Sequence, residues 1–377
     1  MTDITEQLRE RVLAAAADRT ALRIRGGGTK DFYGGPLTGE VLDTTGHAGI
    51  VAYEPTELVV TARCGTRLSD LEAALEEQGQ MLAFEPPHFS RPSPSGSGAG
   101  GEGSTIAASG GYGATVGGAV AAGLSGPRRA TAGSVRDFVL GVKVLDGKGE
   151  VLNFGGQVMK NVAGYDVSRL MTGALGTLGL LLEVSLKVLP KPQAEATLRL
   201  EMPEGKALET MNRWAGQPLP VSATCWEGTQ NRGELTVRLS GARAAVAAAR
   251  EKIGGEAAAD AAAFWRALRE QHGEFFSGGT ALWRLSVPSG SAHVELPGAQ
   301  LIEWGGALRW LKSGAEATQV RGAAAAAGGH ATLFRGGDKT VGVFQPLSLP
   351  LLQIHRNLKR AFDPQGILNP GRLYPDM

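Results

Sequence analysis

Apolar positions recur at three- and four-residue spacing near the start of the chain. They predict a helix from about Thr5 to Ala17, behind a Thr/Asp cluster. The pattern then shortens. "ALRI" and "EVLD" read as short strands on either side of the glycine run "RGGGTK", and "TELVVTARCG" reads as a buried strand. In "TRLSDLEAALEEQG" the helical spacing returns, with Leu68, Leu71 and Leu75 on one face and Gly79 as the stop. "ATVGGAVAAGLSG" predicts a tightly packed helix start. "FVLGVKVLDGKGEVLNFG" alternates about "DGKG" as a hairpin does, and "GTLGLLLEVSLKVLPKP" is a long apolar strand, bent or paired, closed by Pro190 and Pro192.

Beyond those prolines the texture changes. Alanine-rich helices ("GARAAVAAAREKI", "DAAAFWRALREQ") alternate with strands such as "ELTVRLS", "TALWRLSV" and "QLIEW", and "PLLQIHRNLKRAFDPQGILNPGRLY" reads as a helix followed by a turn-rich tail. The expected division is residues 1–190, 191–344 and 345–377, with a low-complexity surface insertion at about 92–113. The fold class is α+β.

Composition narrows the function. Lys plus Arg total 38 against 37 for Asp plus Glu, so no basic excess exists to follow a nucleic-acid backbone. The two cysteines, Cys64 and Cys225, are isolated, which excludes a disulfide framework or a thiolate cluster and fits a reducing cytoplasm. The charged, amphipathic opening does not read as a secretion signal, and no stretch approaches the ~20 apolar residues of a membrane span. Glycine, at 55 residues, is about twice its usual share.

Two glycine patterns lack their confirming context. "GSGAGG" has dinucleotide-fingerprint spacing, but it follows prolines and serines instead of a strand. In "GGGTK" the lysine follows the threonine, the reverse of a nucleoside-triphosphate loop. What remains is "RGGGTKDFYGG", a backbone nest suited to an anion, followed by "ATVGGAVAAG…GSVRDFVLG" and "KNVAGYDVSRLMTGALGTLGLLLEVSLKVLP". Tight turns and close packing are the competing explanation for each glycine pair alone.

Taken together and in this order, these segments resemble the FAD-binding domain of the vanillyl-alcohol oxidase and p-cresol methylhydroxylase superfamily. "FDPQGILNPGRLY" resembles the tail of its branch that oxidises D-lactate and glycolate, and "EPPHF…GLSGPRRATAGSVRDFVLG…MKNVAGYDVSRLM" is similar to the FAD-binding subunits of bacterial glycolate oxidases (glycolate dehydrogenases). The resemblance implies a two-subdomain PCMH-type FAD-binding domain plus an α+β cap domain. It places the FAD pyrophosphate on Gly26, Gly27, Gly28 and Thr29, flanked by Arg25 and Lys30. It makes Thr115, Gly117, Gly118 and Gly123 the facing wall, and puts Ser134 and Val135 on the ribityl and flavin side. Leu180 and Leu182 fall near the adenine, and Asn369 on a tail returning to the isoalloxazine. Core packing is the alternative for the two leucines, and a turn cap for Asn369.

Departures from the family pattern shape the expected chemistry. Relatives that attach FAD covalently use a histidine in the first glycine loop or a cysteine in the second. Here Thr29 and a cysteine-free run from Thr115 to Gly123 predict noncovalent FAD. Many relatives read "GSEGTLG" where this chain has "GALGTLG", so Leu175 stands in place of a glutamate. The six histidines show no HxxH or HxxxH spacing, and "GGHATLFRGG" offers only His330 and Arg335 where a metal motif would stand; no metal site is expected. His88 in "EPPHF" and Arg129 in "SGPRRA" are the candidates for contact with substrate, against a loop histidine and a solvated arginine pair. The resemblance implies an oxidoreductase subunit taking glycolate, or D-lactate, to the 2-oxo acid. Its partners would be a homologous FAD-containing catalytic subunit and an iron–sulfur subunit that pass electrons to quinone. The location would be cytoplasmic, or peripheral at the inner membrane through those partners. A chain that holds FAD only as a structural or relay subunit is the other reading.

Overall fold

The computed structural model describes residues 3–89, 113–156, 166–375 and 377. Almost all of the glycine- and serine-rich stretch at 92–113, and part of "MKNVAGYDVSRLM", lie outside the described residues. The architecture is α+β.

The first helix, Ile4–Asp18, starts where the Asp3 carboxylate accepts from the Thr5 amide at 3.2 Å, and buries Leu8, Val12 and Ala15 on one face. It stops at Arg19, whose φ of 54° turns the chain into the strand Leu22–Arg25. That strand pairs in parallel with Glu40–Asp43, and on its other side with Leu368 of the tail. Leu8, Val12, Leu22, Leu42, Leu180, Leu182, Ile367 and Leu368 form one small core beneath this three-part seam.

A five-stranded antiparallel sheet follows in the order Ile50–Glu54, Val59–Arg63, Leu180–Lys187, Val139–Leu145, Val151–Gly155. The hairpin expected around "DGKG" forms its last two strands. The predicted helix over "SDLEAALEE" spans Leu68–Glu77, and together with the helix Val116–Ala122 it covers the inner face of the sheet.

The larger sheet has eight strands, all antiparallel and all between Ala194 and Arg335. Strand alternation gives it two unlike faces. Trp226, Ile302, Trp283, Leu311 and Leu333 point into cores closed by the helices Glu204–Ala215, Arg243–Ile253 and Ala317–Ala326. The opposite face carries Cys225, Leu301, Leu308, Trp310 and Phe334, which pack against Tyr33, Ala122, Leu124 and Leu175 of the first part of the chain. The two sheets are thus joined by an aromatic core, with Tyr33 and Phe334 at 5.2 Å between ring centroids and Trp310 and Phe334 at 4.8 Å. A buried ionic cluster adds a second joint. Glu85 accepts from Arg128 at 3.1 Å and from Arg238 at 3.0 Å, and Arg128 also pairs with Glu195.

Candidate functional site

Between the seam and the five-stranded sheet runs an open groove with about 900 Å³ of empty space, open solvent included. "RGGGTK" forms one lip. Gly26 and Gly27 lie so close to the opposite wall that a Cβ would stand 2.3 Å from Thr115 Oγ1 and 1.5 Å from the Gly113 carbonyl oxygen respectively. Gly28 has φ +72°, a conformation glycine adopts without steric penalty. Close packing therefore requires the glycines in the first place. Its chemical consequence is a run of bare backbone: among the described residues, no acceptor meets the N–H groups of Gly26, Gly27, Gly28, Thr29 or Lys30. Unmet amides that line a groove are suited to a phosphate.

The facing wall is the start of the helix Val116–Ala122. Thr115 caps it by accepting from the Gly118 amide at 3.2 Å, and Gly117 rests against Cys64, where a Cβ would clash at 2.6 Å. Thr115, Gly117, Gly118, Ala121 and Ala122 all line the groove, and the stretch Leu175–Gly176 and Gly179–Leu181 forms its floor. Asn369 and Arg372 come back from the tail to close one side. Asn369 Oδ1 accepts from the Ile24 amide at 2.7 Å and its Nδ2 donates to the Leu175 carbonyl at 2.6 Å, so one side chain ties tail, seam and floor together. Arg372 donates to the carbonyls of Gly35 and Tyr33. Arg23 also lines the groove, and its buried Nε has no partner among the described residues.

The structure gathers Gly26, Gly27, Gly28, Thr29, Lys30, Thr115, Gly117, Gly118, Leu180 and Asn369 in this groove. It places the other expected residues elsewhere. Gly123 is the left-handed end of the helix (φ 66°) and abuts Gly173. Ser134 forms a capping box with Asp137, and Val135 is buried in the core. Leu182 belongs to the small core beneath the seam, its carbonyl accepting from Cys64. Arg25 bends back to Asp31 at 3.0 Å and braces the loop from behind.

Both candidates for substrate contact have structural partners. The His88 ring stands 3.0 Å from Glu72, at ion-pair distance without the alignment of a hydrogen bond, while the amides of His88 and Phe89 donate to Glu270 on the larger sheet's helix Ala261–Glu270. His88 is a clip between the two parts. Arg129 lies over Trp304 at 4.4 Å. Arg23, Arg372 and, apart from Leu180, the floor at Leu175–Gly176 and Gly179–Leu181 are groove residues that the sequence did not single out. The strings "GALGTLG" and "NPGRLY" were the available signal for the floor and for Arg372.

Electrostatics separate the two ends. Lys30 is half-buried as a residue, yet its ammonium is enclosed, and burial lowers its pKa to about 8 against the attraction of Glu270. It also lies over Phe89 at 5.7 Å, so it stands where the groove meets the aromatic core. Cys64 lines the groove, but burial pushes its thiol up to about 12, which leaves no thiolate to react. Among the described residues no three His, Cys, Asp or Glu side chains converge as metal ligands, and no helix is long and apolar enough to cross a membrane.

Comparison with known proteins gives this groove a family. Residues 3–113 and 102–155 match the model of an FAD binding domain, and residues 347–373 that of the C-terminal domain of FAD linked oxidases. Over 375 residues the sequence is 50% identical to the glycolate oxidase subunit GlcE of Escherichia coli (strain K12), covering 100% of this chain and 99% of that one. The chain belongs to the GlcE family of FAD-linked oxidases. Its cofactor is FAD. Shorter stretches are similar to other members. The glycolate oxidase subunit GlcD of Bacillus subtilis (strain 168) is 40% identical over 84 residues, 22% of this chain and 18% of that one. A D-lactate dehydrogenase of Anaerostipes hadrus is 31% identical over 160 residues, 42% of this chain and 29% of that one. In fold, an alkyldihydroxyacetonephosphate synthase superposes with a TM-score of 0.64 at 16% identity, covering 98% of this chain and 76% of that one.

For this FAD-linked oxidase the state of Cys64 has a direct consequence. Acid precipitation of the purified protein is expected to release all the yellow cofactor into the supernatant. Colour remaining with the pellet would show a covalent link and refute the assignment of an inert thiol.

Proposed function

We propose that this chain is the FAD-binding subunit of a glycolate-oxidising complex, taking glycolate, with D-lactate as a further substrate, to the 2-oxo acid. The observation that carries the proposal is the groove itself: a run of unmet amides, a side-chain-free wall opposite and a tail that closes it, in a chain half identical to a glycolate oxidase subunit along its whole length. FAD, when bound, supplies an acceptor for two electrons. The amides of Gly26 to Lys30 bind its pyrophosphate, assisted by the unpaired edge of Arg23. Thr115, Gly117 and Gly118 would hold the cofactor against backbone, and Asn369 fixes the tail that closes one side of the groove. The aromatic core from Tyr33 to Phe334 keeps water from the end near Lys30.

Electrons then leave for companion subunits, a homologous flavoprotein and an iron–sulfur chain, and pass on to quinone. Two buried, separated cysteines provide no cluster ligands here, so the iron–sulfur relay belongs to another chain. The complex works in the cytoplasm or at the inner membrane through those partners.

Anaerobic absorbance of the purified chain, before and after glycolate, tests the proposal. Bleaching of the flavin band is the expected result. A bound flavin that glycolate leaves oxidised would make the chain a relay subunit, and a colourless protein would undo the reading of the groove.

A further inference from the structure

We propose that a second, smaller chamber, on the inner face of the larger sheet, is the binding site for a small 2-hydroxy carboxylate, with Arg284 holding the carboxylate and Gln271 accepting from the hydroxyl. This deepens the functional reading above and rests on it for the identity of the ligand. The chamber holds about 360 Å³ of empty space, part of it continuous with open solvent, and opens between the loop carrying Phe89, the turn Leu124–Pro127 and the strands Leu282–Ser286, Ala299–Glu303 and Leu308–Lys312. Alternation along those strands decides what enters it. Leu282 and Arg284, Leu301 and Glu303, Leu308 and Trp310 share one face of the sheet, the face turned to the first part of the chain.

The polar groups there are incomplete, two of them, Arg284 and Gln271, in ways a hydroxy acid would complete. Arg284 forms no ion pair among the described residues; it lies over Trp304 at 5.2 Å beside the Tyr33 hydroxyl. Glu303 is buried. One of its oxygens accepts from Trp310 Nε1 at 2.7 Å, and among the described residues no donor meets the other. Gln271 is 8% exposed, and its Oε1 is buried without a partner. A guanidinium in no ion pair among the described residues and a buried amide oxygen without a donor match a carboxylate joined to a hydroxyl, which has one hydrogen to give. Phe89, Trp304, Trp310 and Phe334 wall the space, which favours a small acid over a long one. The chamber also adjoins the cofactor groove: Lys30 lies over Phe89, and Leu124 is separated from the groove-lining Ala121 and Ala122 by Gly123 alone.

Charge gives the site a pH signature. Burial raises Glu303 to about 7, with Arg284 opposing and Glu85 reinforcing the rise. Cys225, paired across from it in the sheet, is pushed well up by burial and stays neutral. Arg129 reaches the chamber rim over Trp304, and the Arg269–Glu270 pair closes another side at 2.7 Å. Above about pH 7 an ionised Glu303 repels the incoming carboxylate. Affinity is therefore highest below that pH, and the dissociation constant climbs up to about tenfold per unit above it.

The test is titration of the FAD-loaded protein with glycolate and with acetate, which lacks the hydroxyl, read by the fluorescence of the chamber tryptophans. Wild type is expected to prefer glycolate by at least about tenfold. Arg284→Met should weaken both ligands at least about tenfold with flavin content unchanged, and Arg284→Lys should recover part of the loss. Gln271→Leu should remove the preference for glycolate, and Glu303→Gln should flatten the pH dependence. Equal binding to wild type and to either Arg284 variant would overturn the site. Should Arg284→Met fail to fold, an unaltered glycolate preference in Gln271→Leu would overturn it independently. If the chamber binds as described while glycolate fails to bleach the flavin, the proposed oxidation falls and the site stands. Bleaching with binding unaffected by these variants means the reverse.

Discussion

Gly27→Ala is expected to give a protein that holds its flavin more weakly. The added methyl carbon would stand 1.5 Å from the Gly113 carbonyl oxygen, a covalent distance, so the two lips of the groove must part to admit it. Overpacking a tight site commonly costs about 1–3 kcal/mol. Here the cost falls on the backbone that presents the amides of Gly26 to Lys30. The dissociation constant for FAD, titrated on the purified protein, should rise by about tenfold or more, since each 1.4 kcal/mol of lost binding is about a factor of ten. Gly322→Ala is the control: it lies within the helix Ala317–Ala326 with nothing within 4 Å of a new Cβ, and it should keep its flavin. An unchanged dissociation constant in Gly27→Ala would refute the geometry of the lips.

The second large effect lies at the base of the tail. Lys359 is 6% exposed, and its ammonium donates to the Thr177 carbonyl at 2.8 Å, to Asp363 at 2.7 Å and to the Leu368 carbonyl at 2.7 Å. Asp363 in turn accepts from the amides of Ile367 and Leu368, which fixes the turn that sends the chain back to the seam. Burial lowers the pKa of Lys359, and the Asp363 charge opposes that shift. Lys359→Met leaves a buried carboxylate unpaired, a change that costs about 3–5 kcal/mol when one partner of a buried pair is removed. Urea unfolding should show that loss, together with weaker flavin retention. Lys359→Met combined with Asp363→Asn should recover part of it, because the orphaned charge is gone. A single variant as stable as wild type would show that Lys359 is not the anchor.

What the sequence made legible was what it encodes locally. The helix over Leu68–Glu77 shows in the spacing of Leu68, Leu71 and Leu75, and the hairpin at Val139–Gly155 in its alternation about a glycine turn. The lip of the groove is a contiguous hexapeptide, and Asn369 sits in a recognisable tail. Ser134 and Gly123 have local roles, a capping box and a left-handed helix end, and are not among the residues that line the groove. Leu180 and Leu182 share one face of their strand and one small core, but only Leu180, at the strand's start, also lines the groove. Arg284 and Glu303 were beyond reach. On their strands they look like the polar half of an ordinary two-faced sheet, and only the packing of Tyr33, Leu124 and Phe334 shows that this face is covered.

The bond from Asn369 to Ile24 joins residues 345 positions apart. A ribosome adding roughly 5–20 residues per second needs on the order of 17–70 s to separate the synthesis of one from that of the other. Until then the apolar bed of Leu22, Leu42 and Leu180 is without Ile367 and Leu368 to cover it. The closed groove therefore forms only after residue 369 has been made, whichever parts of the fold form earlier.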